Sequence, residues 1–292
     1  MVAELLAGIE LGGTKAIAVL GHGIDLVDRI QIPTTTPDAT LCTLAERLAK
    51  WRSEHGVRAL GVASFGPIRV DPVASDYGRM LATPKAGWSG TDVLGTLAPG
   101  FDRAAIQTDV VAAALAEGQH GAACGLDDFA YVTVGTGVGM GLIAGGVPVV
   151  GAMHPEAGHW RVRRHCDDDF SGACPFHGDC LEGLVAGPSL AHRFGVPGDR
   201  VRGDDPRWRY VADALAEAMA TLFLGLATQR VVIGGGVISA RPDLLATVRE
   251  MTVGKLAGYL PFVGADNIET RIVSPVLEDA GAIGALLIAA RA

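Results

Sequence analysis

The sequence predicts an α/β protein in which one pattern of elements occurs twice. Three observations carry that expectation. Short apolar runs alternate with glycine turns at the start, an amphipathic helix and further buried runs follow, and the order strand, strand, strand, helix, strand begins again near Phe129. In each copy a glycine-rich turn separates the first two strands. The repeat lies in element order, not in residue identity.

In the first copy "LLAGIEL", "KAIAVL" and "DLVDRIQI" read as strands. "DATLCTLAERLAKWRSEH" reads as a helix, because Leu41, Leu44, Ala45 and Leu48 recur at helical spacing and Asp38 or Thr40 can cap it. "ALGVAS" and "AAIQ" are strands, and "DVVAAALAEGQHGAAC" is a helix starting at or near Asp109. In the second copy "FAYVTV", "GMGLIAG" and "VPVV" are strands. An irregular insertion follows from Gly151 to about Asp205. Then come a helix in "PRWRYVADALAEAMATLFLGLAT", a strand in "RVVIGG", a helix in "DLLATVREMTVGKLAGYL", a strand in "TRIVSP" and a helix in "AGAIGALLIAAR".

Composition narrows the function classes. The chain has 292 residues, 49% hydrophobic and 19% charged, which suits one large or two modest globular domains rather than disorder. A net charge of −8 without a block of like charge argues against a nucleic-acid partner. The uncharged stretch Phe129–Met153 is long enough to span a bilayer, but its glycines and strand-like alternation favour buried hairpins over a membrane helix. No basic region precedes an apolar run at the start, so no signal peptide is expected. The five cysteines are expected as reduced thiols in the cytosol, with Cys42 and Cys124 as core residues.

The turn "IELGGTK" is not a P-loop, since Thr14 and Lys15 stand in the wrong order and a strand follows. It is either a tight hairpin or a hairpin whose bare backbone N–H groups bind phosphate, with Thr14 and Lys15 adding a hydroxyl and a charge. "VGTGVGMG" also lies between strands, which weakens a dinucleotide-fold reading and leaves the same two alternatives. Facing each other across a cleft, the two turns would hold both ends of a triphosphate. "IGGGV", with Gly234, Gly235 and Gly236, closes a strand before a helix, a natural place for a base and ribose. Asp109 follows a strand and opens a helix that Thr108 can cap. It is either a first-turn carboxylate complementing the helix dipole or the base that takes a proton from an attacking hydroxyl.

In "CPFHGDC", Cys174, His177 and Cys180 offer two thiolates and an imidazole, a set suited to zinc. His154, His159 and Cys166 are the candidates for a fourth ligand, and His159 is favoured. A closed four-ligand site would be structural, an open one catalytic, and the bland alternative is a pair of buried thiols beside an unrelated histidine. Glu156 and Glu182 flank the knot and either grip sugar hydroxyls or are merely solvated.

Together these segments, with "GVASFGPI", "ATPKAGW", "HPEAGHW" and "SPVLEDAGAIGAL", resemble the ROK family of sugar kinases and repressors, and within it the bacterial fructokinase branch. The resemblance implies an actin-like, ribonuclease H-like duplicated, two-lobed ATPase fold. It implies a small lobe over residues 1–110 and a larger one over 111–292. A zinc-bearing insertion covers about 151–205, and the C-terminal helix is free to return to the first lobe. It implies transfer of phosphate from MgATP to the 6-hydroxyl of fructose, a structural zinc, and a cytoplasmic homodimer.

Carried over by motif, Asp109 is the catalytic base. Gly12, Gly13, Thr14 and Lys15 form the first phosphate loop, and Thr136 and Gly137 the second. Glu156, His159 and Glu182 line the sugar site, with His159 also joining Cys174, His177 and Cys180 on zinc. Glu10, where most members have aspartate, leans towards the fructokinase branch, as does a cysteine knot unlike the Cys-x-Cys form of the glucokinase-like branch; Thr108, where many have asparagine, weakens the transfer of glucose-type sugar contacts. Only about a dozen residues precede the first loop, which leaves no room for a repressor's helix-turn-helix. The alternatives are a kinase for mannose or glucose, a non-catalytic sugar-binding sensor, and a zinc hydrolase.

Overall fold

The structure is a computed structural model that describes residues 4–292. The first sheet contains β1 (Leu6–Leu11), β2 (Lys15–His22), β3 (Asp25–Pro33), β4 (Ala59–Ser64) and β5 (Arg103–Thr108), in the order β3-β2-β1-β4-β5. β1, β2 and β3 form an antiparallel meander, and β4 and β5 add in parallel. The second sheet contains β6 (Phe129–Val134), β7 (Val138–Ala144), β8 (Val147–Pro148), β9 (Arg230–Gly234) and β10 (Ile272–Val273), in the order β8-β7-β6-β9-β10. Again the first three strands form an antiparallel meander and the last two add in parallel. The duplication expected from element order is therefore present strand for strand.

The first sheet is buried on both faces, as its parallel half requires. Ala7, Ile9 and Leu11 of β1 point to one face, where they join Leu41, Leu44, Leu48 and Trp51 of α1 (Pro37–His55). Each such leucine, removed from water, contributes roughly 1.5–3 kcal/mol. α1 starts behind Thr36 with Pro37 in its first turn, and neither Asp38 nor Thr40 caps it. Thr40 Oγ1 instead accepts from Thr35 N–H at 3.0 Å. α2 (Val93–Leu97) is a short helix capped by Asp92, whose Oδ1 accepts from Gly95 N–H.

The other face of this sheet carries α10 (Ala280–Arg291), through Ala282, Leu286 and Ala289. α10 also packs on α3 (Asp109–His120). Small residues allow this close approach. A Cβ on Gly61 would lie 1.8 Å from the Ala285 carbonyl oxygen, and one on Gly284 would lie 1.9 Å from that of Ala112. Chain contacts divide the protein into two units. The first runs through Gly121 and includes Val149–Pro155 and Leu277–Ala292; the second holds Ala122–Pro148 and Glu156–Val276. α3 thus belongs to the first unit, whose chain runs past residue 110.

The second unit holds α4 (Leu181–Val185), α5 (Gly187–Phe194), α6 (Trp208–Leu226), α7 (Gly236–Ala240), α8 (Pro242–Leu256) and α9 (Ile268–Arg271). α4 and α5 lie inside the insertion expected to be irregular. They are only five and eight residues long, too short to show a helical period in the sequence. The insertion is pinned by a buried pair, in which Arg193 of α5 grips Asp168 in two bonds of 2.7 and 3.0 Å and lies over the Phe170 ring. Burial alone would raise the Asp168 carboxyl, but Arg193, together with Arg164, holds it below the ordinary carboxylate range.

Two cysteine expectations fail. Cys42 lies off the Leu41–Leu44–Leu48 stripe of α1, and Cys124 lies past the end of α3, so both are exposed. No helix among the described residues is long and apolar enough to cross a membrane.

Gly284→Val should destabilise the protein by roughly 3 kcal/mol or more, because the new side chain meets backbone that cannot move aside; urea unfolding midpoints measure this. Asp168→Ala should cost about 3–5 kcal/mol near pH 7, since it strands a buried guanidinium. A carboxyl depressed in the folded state contributes stability that is present above its unfolded value near 3.9 and is lost as pH falls through the folded value. The gap between wild type and variant in a urea titration should therefore shrink below about pH 4 and not at alkaline pH.

Candidate active site

The first glycine turn, Gly12–Thr14, joins β1 to β2. Its carbonyl groups are all engaged. Thr34 Oγ1 donates to Gly12 O at 2.8 Å, Lys85 Nζ donates to Gly13 O at 2.7 Å, and Thr34 N–H donates to Thr14 O at 2.9 Å. Gly12 N–H is spent within the turn, on Lys15 O at 3.0 Å. The N–H groups of Gly13 and Thr14 have no protein partner among the described residues. Neither glycine has a positive φ, so the turn is not built on left-handed residues; Gly12 is needed because a Cβ there would lie 2.9 Å from Lys15 O. Glu10, one residue before the end of β1, has its carboxyl pushed up by burial, partly offset by Lys15.

Asp109 emerges at the same sheet edge as this turn. Leu11 lies opposite Ser64, and Ser64 opposite Thr108, in parallel pairs. The residues that follow Leu11 and Thr108 therefore leave two strand spacings apart, roughly 10 Å. Thr108 caps α3, its Oγ1 accepting from Val111 N–H at 3.3 Å, and Asp109 accepts from Val110 N–H at 2.8 Å. A carboxylate at this helix N-terminus complements the helix dipole.

In the second unit Gly135–Gly137 joins β6 to β7, and Gly135 N–H donates to Gly137 O at 2.8 Å. Gly187 N–H at the start of α5 donates to Gly135 O at 2.7 Å. Glu182 of α4 takes Val138 N–H on its Oε2 at 3.0 Å, and a Cβ on Gly137 would lie 2.8 Å from that oxygen. Glu182 is thus neither merely solvated nor tied only to the cysteine knot: it braces the second glycine turn. The third cluster lies on the neighbouring strand. Gly234 ends β9, Gly235 has φ 94° with no room for a side chain beside Val134, and Gly236 opens α7. A largely apolar cavity of about 490 Å³ is lined by Gly135, Thr136, Pro188, Trp208, Gly236 and Val237, among others. Its size and lining suit a nucleoside.

The cysteine knot is also in this unit. A hairpin closes Cys174 against Gly178, with N–H···O bonds of 3.0 and 2.9 Å. Cys180 precedes α4, and Leu181 N–H donates to Trp160 O at 2.9 Å. Gly158 brings "EAGH" against β7, since a Cβ there would lie 1.8 Å from Val138 O. The donor atoms of His159, Cys174, His177 and Cys180 all lie within 4.8 Å of one another. His159 Nδ1 is 3.5 Å from Cys180 Sγ and 3.7 Å from Cys174 Sγ, and Cys174 Sγ is 3.7 Å from His177 Nδ1.

A tetrahedron with Zn–S of about 2.3 Å and Zn–N of about 2.0–2.1 Å has N···S edges of about 3.6 Å, so the four residues fit zinc. Burial pushes the metal-free Cys180 thiol up to about 11, with Cys174 and Glu182 adding to it; a divalent cation supplies the charge that stabilises such thiolates. Four protein donors form the set of a closed, structural site, which removes the footing of a zinc hydrolase.

The other candidates for fourth ligand lie elsewhere. His154 is buried in the first unit and accepts from Ile68 N–H at 3.2 Å. Cys166 is exposed beside His165 and Asp167. Glu156 precedes the 3-10 turn Ala157–His159 and is exposed. Lys85, which holds the first turn, was not singled out by sequence reasoning, although "ATPKAGW" contains it.

Duplicated sheets, each with a glycine turn between its first two strands, define the actin-like fold of the sugar kinases. The chain belongs to the ROK family, whose match covers residues 6–292. It is 40% identical over 257 residues to a fructokinase of Pediococcus pentosaceus, covering 87% of this chain and 88% of that one. It is 38% identical over 289 residues to a fructokinase of Zymomonas mobilis subsp. mobilis, covering 96% and 95%. Its structure matches that of a ROK hexokinase from Thermus thermophilus with a TM-score of 0.79 at 27% identity, over 98% of each chain.

The purified protein should carry about one zinc per chain by elemental analysis, lost in Cys174→Ala. Chelation should raise hydrogen exchange across residues 151–205 and leave the first sheet protected.

Proposed function

We propose that this ROK-family hexose kinase is a fructokinase, transferring the γ-phosphate of MgATP to the 6-hydroxyl of D-fructose. The observation that carries the reading is the shared edge of the first sheet, where the Asp109 carboxylate and the unpartnered N–H groups of Gly13 and Thr14 emerge together. In this reading a phosphate of the nucleotide binds the turn. Asp109 accepts the proton of the 6-hydroxyl as its oxygen forms the bond to phosphorus, and ADP leaves with the bridging oxygen. Magnesium neutralises charge on the transferring phosphates.

Adenosine occupies the cavity beside Thr136 and Gly236, with Thr136 and Gly137 supplying the second phosphate contact and Gly234 and Gly235 leading the chain into Gly236. Glu156, His159 and Glu182 take sugar hydroxyls, with zinc on His159, Cys174, His177 and Cys180 fixing the segment that bears them. Two fructokinases at 38–40% identity support fructose over other hexoses. Thr108, which caps α3 with its hydroxyl, weakens the transfer of glucose-type sugar contacts to this chain. Family resemblance supports a cytoplasmic homodimer.

Asp109→Asn should lower kcat about 10²–10⁴-fold while fructose binding stays within a few-fold, as coupled ADP release and calorimetry would measure. The same ADP assay with fructose, glucose, mannose and N-acetylmannosamine should favour fructose. A wild-type kcat in Asp109→Asn would overturn the mechanism, and no ADP release with any of these sugars would favour a sensor.

A further inference from the structure

We propose that Lys85 is a positioning residue for the nucleotide phosphates, because it sets the direction in which the Gly13–Thr14 peptide faces. The inference rests on the kinase reading and adds to it a residue with no role so far.

A trans peptide is planar, and its C=O and N–H point to opposite sides. Whatever holds the carbonyl of Gly13 therefore aims the N–H of Thr14. Side-chain packing does not decide this orientation, since a Cβ built on Gly13 meets nothing within 4 Å. Glycine also offers little backbone resistance to a flip. The bond from Lys85 Nζ to Gly13 O, at 2.7 Å, is charge-assisted and decides it. Thr34 completes the arrangement: its hydroxyl holds Gly12 O and so aims Gly13 N–H, while its own N–H holds Thr14 O. Both unpartnered N–H groups of the turn thus face away from the groups that grip its carbonyls.

Lys85 is itself held in place. Its Nζ also reaches Thr34 O at 3.4 Å, and its N–H donates to Thr83 Oγ1 at 3.4 Å. Three residues on, the fully buried Trp88 donates from Nε1 to Thr35 O at 2.9 Å and packs edge-on against Phe65. The segment from Thr83 to Trp88 therefore clamps Lys85 onto the first turn. An ammonium has three donors, and two are spent on carbonyls, so a cation also stands beside the turn.

The test is calorimetric titration of the full chain with the ATP analogue AMPPNP plus Mg²⁺, and with AMP. Lys85→Met should weaken AMPPNP about ten- to a hundred-fold and leave AMP within about two-fold, because AMP lacks the phosphates in question. Lys85→Arg, which keeps a charged donor, should recover most of the loss. In turnover, KM for ATP should rise while KM for the sugar stays within about two-fold. Should Lys85→Met not fold, Lys85→Gln, a donor without the charge, should still weaken AMPPNP selectively. A folded variant that binds AMPPNP as wild type does, or one that loses AMP and AMPPNP equally, would overturn the inference. Failure of the wild-type chain to bind AMPPNP would overturn the kinase reading, and this inference with it.

Discussion

The first glycine turn works only if its carbonyl groups face the protein, and that orientation depends on hydrogen bonds from outside the turn. Two glycines in sequence leave the backbone free, so the turn has no preferred face of its own. Thr34 at the end of the third strand and Lys85 from a loop supply the preference by gripping three successive carbonyls. The strand register then does the rest. Leu11, Ser64 and Thr108 form one row, which brings the turn and Asp109 to a common edge. Sheet geometry, not local sequence, brings together two segments almost a hundred residues apart.

The second turn is braced by the opposite chemistry. There a carboxylate, Glu182, accepts a backbone N–H from Val138, where the first turn has an ammonium donating to a carbonyl. Glu182 sits two residues after Cys180, and the helix it belongs to lies against the cysteine hairpin, since a Cβ on Gly183 would come within 1.9 Å of Gly178 O. The His/Cys knot, a helix of five residues and a glycine turn are thus one mechanical unit. A charged brace on each turn costs desolvation, and it yields a peptide orientation that glycine alone does not provide.

Much of the fold was legible because it is periodic. The Leu41–Leu44–Leu48 stripe, the alternation in the meander strands and the glycine turns between them are local signals, and the second copy repeated their order. The His/Cys cluster was legible as a candidate metal site because three of its members lie at equal spacing within seven residues. What escaped was non-local. Lys85 is 72 positions from Gly13 and Glu182 is 44 from Val138, and no periodicity links them. The helices within the insertion were too short to show a period, and Cys42 was misplaced because one position off an apolar stripe turns a side chain to solvent. Gly284 of α10 lies against the backbone of α3 and Gly61 of β4 against that of α10, close approaches that no local pattern announces.

In the proposed kinase, bare backbone N–H groups of the first turn bind phosphate. Amide NMR on isotope-labelled protein tests it directly. On addition of MgAMPPNP, the Gly13 and Thr14 amide protons should move downfield, as hydrogen bonds to an anion require. Resonances of those two residues that stay in place while the cavity around Thr136 and Gly236 responds would contradict it.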